Sequence, residues 1–247
     1  MRLLVYNIHY GTGGKRMLFP WSGYLGNTAQ NIEDIADFIK PLEPDIIGLI
    51  EVDGGTFRTQ GNQAQIIAER LGHYHTWRSK YHRDSHLANR IPMFCNQGNA
   101  FLAKDSIANE RFHYFSKGVK KLVIELEMDN LVVFLVHLAL GRSARGQQLK
   151  DLYEMVKNTR KPHIVAGDFN IFWGEEEIAE FLENTGMINA DTRRLPSYPS
   201  WQPTRHLDFV LHSPEIAITD FQVPPVIFSD HLPVVCDFEL NTPEAAS

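Results

Sequence analysis

Asp168 and Asn170 stand two residues apart at the end of Lys161-Pro162-His163-Ile164-Val165-Ala166-Gly167-Asp168-Phe169-Asn170. The apolar run from Ile164 to Ala166 reads as a buried strand, and Gly167 stops it. At an extended strand end, side chains two apart share one face. A carboxylate and a carboxamide placed there can hold a cation, orient a water or steady an anion, and strand mouths are where α/β proteins commonly keep their ligands. Gly, Asp and Asn also favour ordinary turns. Taken alone, this stretch leaves turn and site equally open.

The elements that would position such a site repeat the pattern. A strand over residues 2–6 ends at Asn7, with His9 two residues on. The run 45–50 delivers Glu51, and a strand over 131–136 runs into His137. Asp208 sits in a strand over 207–211, and Ser229-Asp230-His231 precedes a strand over 234–240. Turn chemistry selects Gly, Pro and Ser as readily as Asp and Asn, and does not select His. Asn99 opens a further strand, 99–103, and 216–223 is another. Residues 122–127 and 131–136 form a hairpin about Asp129-Asn130. Helices are expected after an Asn27/Gln30 capping box (Ile32, Ile35, Ala36 and Ile39 at helical spacing), over 63–71, from about Arg145, and after Glu175-Glu176-Glu177. Residues 74–96 read as irregular, basic and aromatic. Strands outnumber helices, so the fold class is α/β, with two mixed sheets face to face and helices outside: a four-layer α-β-β-α sandwich.

Composition sets the outer bounds. A chain of 247 residues with no linker or repeat reads as one domain, 1–247. A net charge of -6 excludes a generally basic nucleic-acid coat while permitting a local basic patch. Two cysteines make no disulfide framework and point to a reducing compartment. No signal peptide precedes the first strand and no apolar run is long enough to span a bilayer, so the expected location is cytoplasmic, without an obligate protein partner.

Seven segments, in order, resemble the endonuclease/exonuclease/phosphatase family with its DNase I-like fold. They are Val5-Tyr6-Asn7, Gly48-Leu49-Ile50-Glu51, Gly98-Asn99-Ala100-Phe101-Leu102, Val136-His137-Leu138, Gly167-Asp168-Phe169-Asn170, Leu207-Asp208-Phe209-Val210-Leu211 and Ser229-Asp230-His231-Leu232-Pro233-Val234. The resemblance implies hydrolysis of a phosphoester with a divalent metal, by in-line attack of an activated water. It implies that Asn7, Glu51 and Asp230 hold or steer the metal; all are oxygen donors, which suit Mg²⁺, with Mn²⁺ or Ca²⁺ as alternatives, better than Zn²⁺. His137 and Asn170 would steady charge on the phosphoryl oxygens. The water would lose its proton either to Asp168 or to His231 oriented by Asp208, and these two stay open.

Further residues have a competing structural reading. His9 is a phosphate contact by resemblance; Asn99 orients water or only satisfies backbone. Arg142 and Arg145 bind phosphate at a helix N-terminus or lie in a solvated loop. Phe19, Trp21, Tyr24, Phe172 and Trp173 could stack a base, grip a sugar or meet a lipid surface, with Tyr198, Trp201 and Arg205 completing the wall. Arg205 stands where abasic-site repair members carry Trp, and the Tyr those enzymes use has no counterpart near residues 96–99, which disfavours repair. The Lys/Arg-rich insertions of inositol phosphatases are missing. Residues 17–21 are a faint echo of the apolar hairpins of sphingomyelinase-like members. The basic run 78–90 ranks a nucleic acid or nucleotide above a phospholipid head group as substrate. The alternatives are a sphingomyelin-type phosphodiesterase, a non-catalytic binding module and a non-phosphate hydrolase on the same scaffold.

Overall fold

The structure is a computed structural model describing residues 1–14, 28–56, 59, 61–80, 96–105 and 107–241. Asn27, Cys95, the aromatics Phe19, Trp21 and Tyr24, and most of the basic run (residues 81–90) lie outside the described residues.

Two six-stranded sheets carry the fold. The first has the order β11-β12-β1-β2-β4-β3, formed by Ile216–Gln222, Val234–Leu240, Arg2–Asn7, Ile46–Asp53, Gln97–Ala103 and Tyr74–Ser79. The second has the order β5-β6-β7-β8-β10-β9, formed by Asn109–Tyr114, Leu122–Glu127, Val132–His137, His163–Asp168, Asp208–His212 and Ile188–Asn189. Each sheet contains one parallel pair, β1/β2 and β7/β8, among antiparallel neighbours. Helices α1 (Ala29–Ile39) and α2 (Gln63–Leu71) cover the first sheet; α3 (Arg142–Val156) and α4 (Glu176–Thr185) cover the second.

The unbroken apolar runs follow from these four layers, because each central strand is buried on both faces. In β1, Leu3 and Val5 enter the core between the sheets while Leu4 and Tyr6 pack under α1 and α2. In β7, Val133 and Leu135 face the other sheet and Val132, Phe134 and Val136 face α3 and α4. Gly48 of β2 makes room for this contact: a Cβ there would lie 2.7 Å from Leu135 Cδ1. Each such buried aliphatic side chain contributes about 1.5–3 kcal/mol, so truncating Leu135 would loosen both sheets at once.

Several expected elements shift. Residues 74–79 are an edge strand, not irregular chain; Tyr74, Thr76 and Trp77 are good strand formers whose alternation the basic neighbours obscure. Strands β5 and β9 were not expected, since β5 is polar and half-exposed and β9 has only two residues. Helix α1 begins at Ala29 with Thr28 at its N-cap, and Gln30 donates to Asp34; the expected capping box rests on Asn27, outside the described residues. Helix α3 starts at Arg142, ahead of the expected Arg145.

Candidate active site

Strand register gathers the polar strand ends at one edge. In the parallel pair β7/β8, His137 lies opposite Asp168; β10, antiparallel to β8, sets Asp208 beside Asp168. Parallel pairing of β1 and β2 puts Asn7 beside Ile50, immediately before Glu51. Strand β12 runs antiparallel to β1 with Val234 opposite Val5, so the residues leading into it, 229–231, return to the same edge. Asn7 Nδ2 donates to Asp168 Oδ2 at 3.2 Å and ties the two sheets together there.

Asp168 is the hub, with 1 % of its side chain exposed. Its Oδ1 accepts the Asn170 amide at 2.9 Å, and its Oδ2 faces His137 Nε2 at 3.2 Å and His231 Nε2 at 3.8 Å. Burial alone would raise its pKa, but His231, His137 and Lys120 outweigh burial and hold the carboxylate well below its usual range. Gly167 is required behind it: with φ +147°, a Cβ would fall 1.9 Å from Val136 O. Asn170 takes a left-handed φ of 53°, which Asn tolerates, and its Nδ2 donates to Leu138 O at 2.9 Å.

Glu51 is presented differently. Leu49 pairs with Ala100 and Val52 with Gly98, so Ile50 and Glu51 together oppose Asn99 in a β-bulge. The extra residue puts Glu51 at φ 56°, a strained value for a non-glycine, and Asn99 Oδ1 steadies it by accepting the Glu51 amide at 3.3 Å. The carboxylate accepts no hydrogen bond from the described residues; its nearest charged neighbours are Lys120 Nζ at 3.6 Å and His137 Nε2 at 3.8 Å. Burial pushes its pKa up, and Lys120, His137, Lys80 and His9 more than reverse that, to about 2.

His231 is fixed from the opposite side. Its Nδ1 donates to Asp208 Oδ2 at 2.8 Å, and the same oxygen accepts from Ser197 Oγ at 2.6 Å. Burial lowers the pKa of this imidazole, but Asp208, Asp168 and Asp230 together hold it up to about 10. His137 goes the other way: burial and Lys120 depress its pKa despite Asp168.

Asn7, Glu51, His137, Asp168, Asn170, Asp208, Asp230 and His231 therefore converge at one edge of the two sheets. His9 joins them, with Nδ1 3.6 Å from Asp230 Oδ1, and Asn99 acts on the Glu51 backbone. Arg145 does not join them. Its side chain is fully buried, and its guanidinium donates to Ala139 O, Leu140 O and Glu177, so it braces the start of α3 and cannot reach a substrate. Arg142 points to solvent, 3.9 Å from Glu177. Trp173 projects from the rim over Arg145, next to an aromatic series in which Phe172 meets Tyr198 and Tyr198 meets His231 at 4.9 Å. Sequence reasoning missed Lys120, which contacts His137 Nε2 as well as Glu51, and Ser197. The hairpin carried a signal for Lys120, because β6 runs antiparallel to β7 and its leading residues must lie beside His137. No spacing marks Ser197.

Two groups of side chains have the donors for a cation. Asp168, Asp208 and His231 offer ligand atoms within 4.8 Å of one another. Their imidazole has Nδ1 2.8 Å from Asp208 Oδ2 and Nε2 3.8 Å from Asp168 Oδ2, so a cation bound to it would displace one of these contacts. Glu51 offers a carboxylate that accepts no hydrogen bond from the described residues, and with Asn7, which pairs beside Ile50, and Asp230 it makes an all-oxygen set that fits a hard divalent ion.

Solved structures repeat the fold. A functionally unknown conserved protein from Enterococcus faecalis V583 superposes with a TM-score of 0.70 at 14% identity, over 97% of this chain and 100% of that one. A Bacteroides thetaiotaomicron mannosyl-6-phosphatase gives 0.69 at 14% identity, over 97% and 100%. The human nocturnin catalytic domain with bound sulfate gives 0.66 at 24% identity, over 97% and 93%. A UPF0294 protein of Vibrio vulnificus (strain YJ016) is 32% identical over 116 residues, 43% of this chain and only 38% of that protein's own length. The sequence profile of the Endonuclease/Exonuclease/phosphatase family matches residues 4–231, from β1 to the cleft histidine, and the chain belongs to that family.

Proposed function

We propose that this protein hydrolyses phosphoester bonds with a divalent cation, Mg²⁺ by donor chemistry, through in-line attack of a water. The observation that carries this reading is the convergence on Asp168 of Asn7, His137 and His231, with the Glu51 carboxylate alongside His137. Glu51, Asn7 and Asp230 would hold the cation, which when bound would polarise the phosphoryl group and offset its developing charge. Asp168 orients the attacking water through an oxygen already aligned by the Asn170 amide and takes up the proton that the water loses. His231, held by Asp208 and Ser197, donates toward a phosphoryl oxygen and delivers a proton to the departing oxygen. His137, Asn170 and Lys120 supply further donors to the same oxygens, and His9 lies within reach of the phosphate beside Asp230. The mannosyl-6-phosphatase and the sulfate-bound nocturnin domain share this fold, which accords with an oxyanion substrate.

The test is a panel of phosphate mono- and diesters assayed with Mg²⁺, Mn²⁺ and Ca²⁺ and with EDTA, beside Asp168→Ala and His231→Ala. Turnover that needs the cation and falls on the order of 10²-fold or more in each variant is expected. Equal turnover in wild type and both variants, or none with any ester, would refute the reading.

A further inference from the structure

Among the described residues eight large apolar side chains are exposed: Met1, Tyr74, Val119, Leu140, Trp173, Ile188, Trp201 and Ile227. Single exposed apolar residues are ordinary on any surface. Their distribution here is not. Met1, Tyr74 and Ile188 lie at the end of the sandwich remote from the cleft, because Tyr74 pairs with Ala103 and Ala103 with Ile46, while Ile188 pairs with His212 and His212 with Ile164. Each stands at a separate strand start.

The other five, 38–67 % exposed, all occupy loops at the cleft edge. Val119 precedes Lys120 in the β5–β6 connection, and Leu140 follows His137 on the way into α3. Trp173 follows Asn170, Trp201 lies between Ser197 and Asp208, and Ile227 precedes Asp230. Among the described residues, an apolar arc thus borders a polar, charged centre. Basic residues are interleaved with it despite the net charge of -6: Lys117 and Lys121 flank Val119, Arg142 follows Leu140 by two, and Arg205 caps Phe172 O at 2.9 Å.

We infer that this rim is an interfacial docking surface that seats the cleft on an anionic phospholipid bilayer. Trp at the headgroup level, aliphatic tips below it and Lys/Arg facing anionic headgroups are the chemistry by which a protein binds a bilayer without crossing it. No described helix is long and apolar enough to cross a membrane. A nucleic-acid surface would use aromatic platforms and cations but would gain little from Val119, Leu140 and Ile227, which present no ring to stack. The orientation of the cleft toward the headgroups rests on the phosphoester reading; the docking does not.

The experiment is co-sedimentation of the full chain with phosphatidylcholine vesicles, with and without phosphatidylserine, beside the triple variant Val119→Ser, Leu140→Ser, Ile227→Ser. These three residues touch no site group and leave the charge unchanged, so hydrolysis of the water-soluble diester bis(p-nitrophenyl) phosphate serves as the folding and site control. Wild type should bind the phosphatidylserine vesicles more tightly than phosphatidylcholine alone, and the variant should lose roughly tenfold or more of that binding with unchanged soluble turnover. Absence of wild-type binding, or equal binding by the variant, overturns the inference. So does a variant that instead loses affinity for a single-stranded oligonucleotide. Vesicle binding without any soluble turnover would leave the docking standing and count against the hydrolase reading alone.

Discussion

Each sheet contributes the same unit to the cleft, a strand, a covering helix and a parallel strand, yet the two units deliver carboxylates of opposite kind. In the second sheet β8 pairs with β10 in unbroken register up to Asp168 and Asp208. The carboxylate that emerges is enclosed and accepts from backbone, amide and imidazole. In the first sheet the bulge of β2 against β4 throws Glu51 out of register, and its oxygens face lysine and imidazole only from 3.6 Å outward. One extra residue in one strand separates a hydrogen-bonded acceptor from a carboxylate held by ion pairs. The difference teaches that chemistry on this scaffold is assigned by local backbone irregularity as much as by residue type.

The comparison can be sharpened by removing each carboxylate in turn. Asp168→Ala should have the largest effect, a loss of about 10²–10⁴-fold in kcat at saturating cation, measured by single-turnover hydrolysis. Glu51→Gln should act through the cation instead: the Mg²⁺ concentration for half-maximal rate rises roughly tenfold or more, with a smaller change in the plateau. A plateau loss in both with no change in Mg²⁺ dependence would break the distinction.

The backbone devices beneath the two carboxylates should differ as well. Gly167→Ala forces a side chain into a positive φ and onto Val136 O, and should cost about 3 kcal/mol or more in urea unfolding. Asn99→Ala removes one acceptor under the bulge and should cost about 1–2 kcal/mol. A reversed order would mean that the bulge, not the glycine, is the stricter constraint.

The smallest effect belongs to the outer edge of the second sheet. His113 at 2.6 Å and Arg111 hold the Glu125 carboxyl below its ordinary pKa against the opposing pull of burial. A depressed folded pKa stabilises above the unfolded value near 4.3 and the gain is lost as pH falls through the folded pKa. Glu125→Gln should therefore be less stable than wild type by about 1 kcal/mol at neutral pH, with the gap closing on acidification in pH-dependent melts. A gap that widens in acid would contradict the sign.

Much of this was legible beforehand because the periodicities were strong. Apolar runs ending in Asn7, Glu51, His137 and Asp168 announced the strands, and a polar residue at each end announced the cleft. What stayed hidden depends on pairing. The polar edge strand β5 has no apolar face to declare it, and β3 is masked by its basic neighbours. The bulge that frees Glu51 exists only once β2 meets β4. Arg145 looked like a phosphate ligand because a helix start with arginines attracts anions; Glu177 and two carbonyls had already claimed it.

The division between the two carboxylates is tested most directly by growing crystals in Mn²⁺ and locating the ion by anomalous diffraction. The account predicts a peak coordinated by Glu51, on the side of Asn7 and Asp230, with the His231–Asp208 hydrogen bond intact. A sole peak enclosed by Asp168, Asp208 and His231, with Glu51 left uncoordinated, would contradict it.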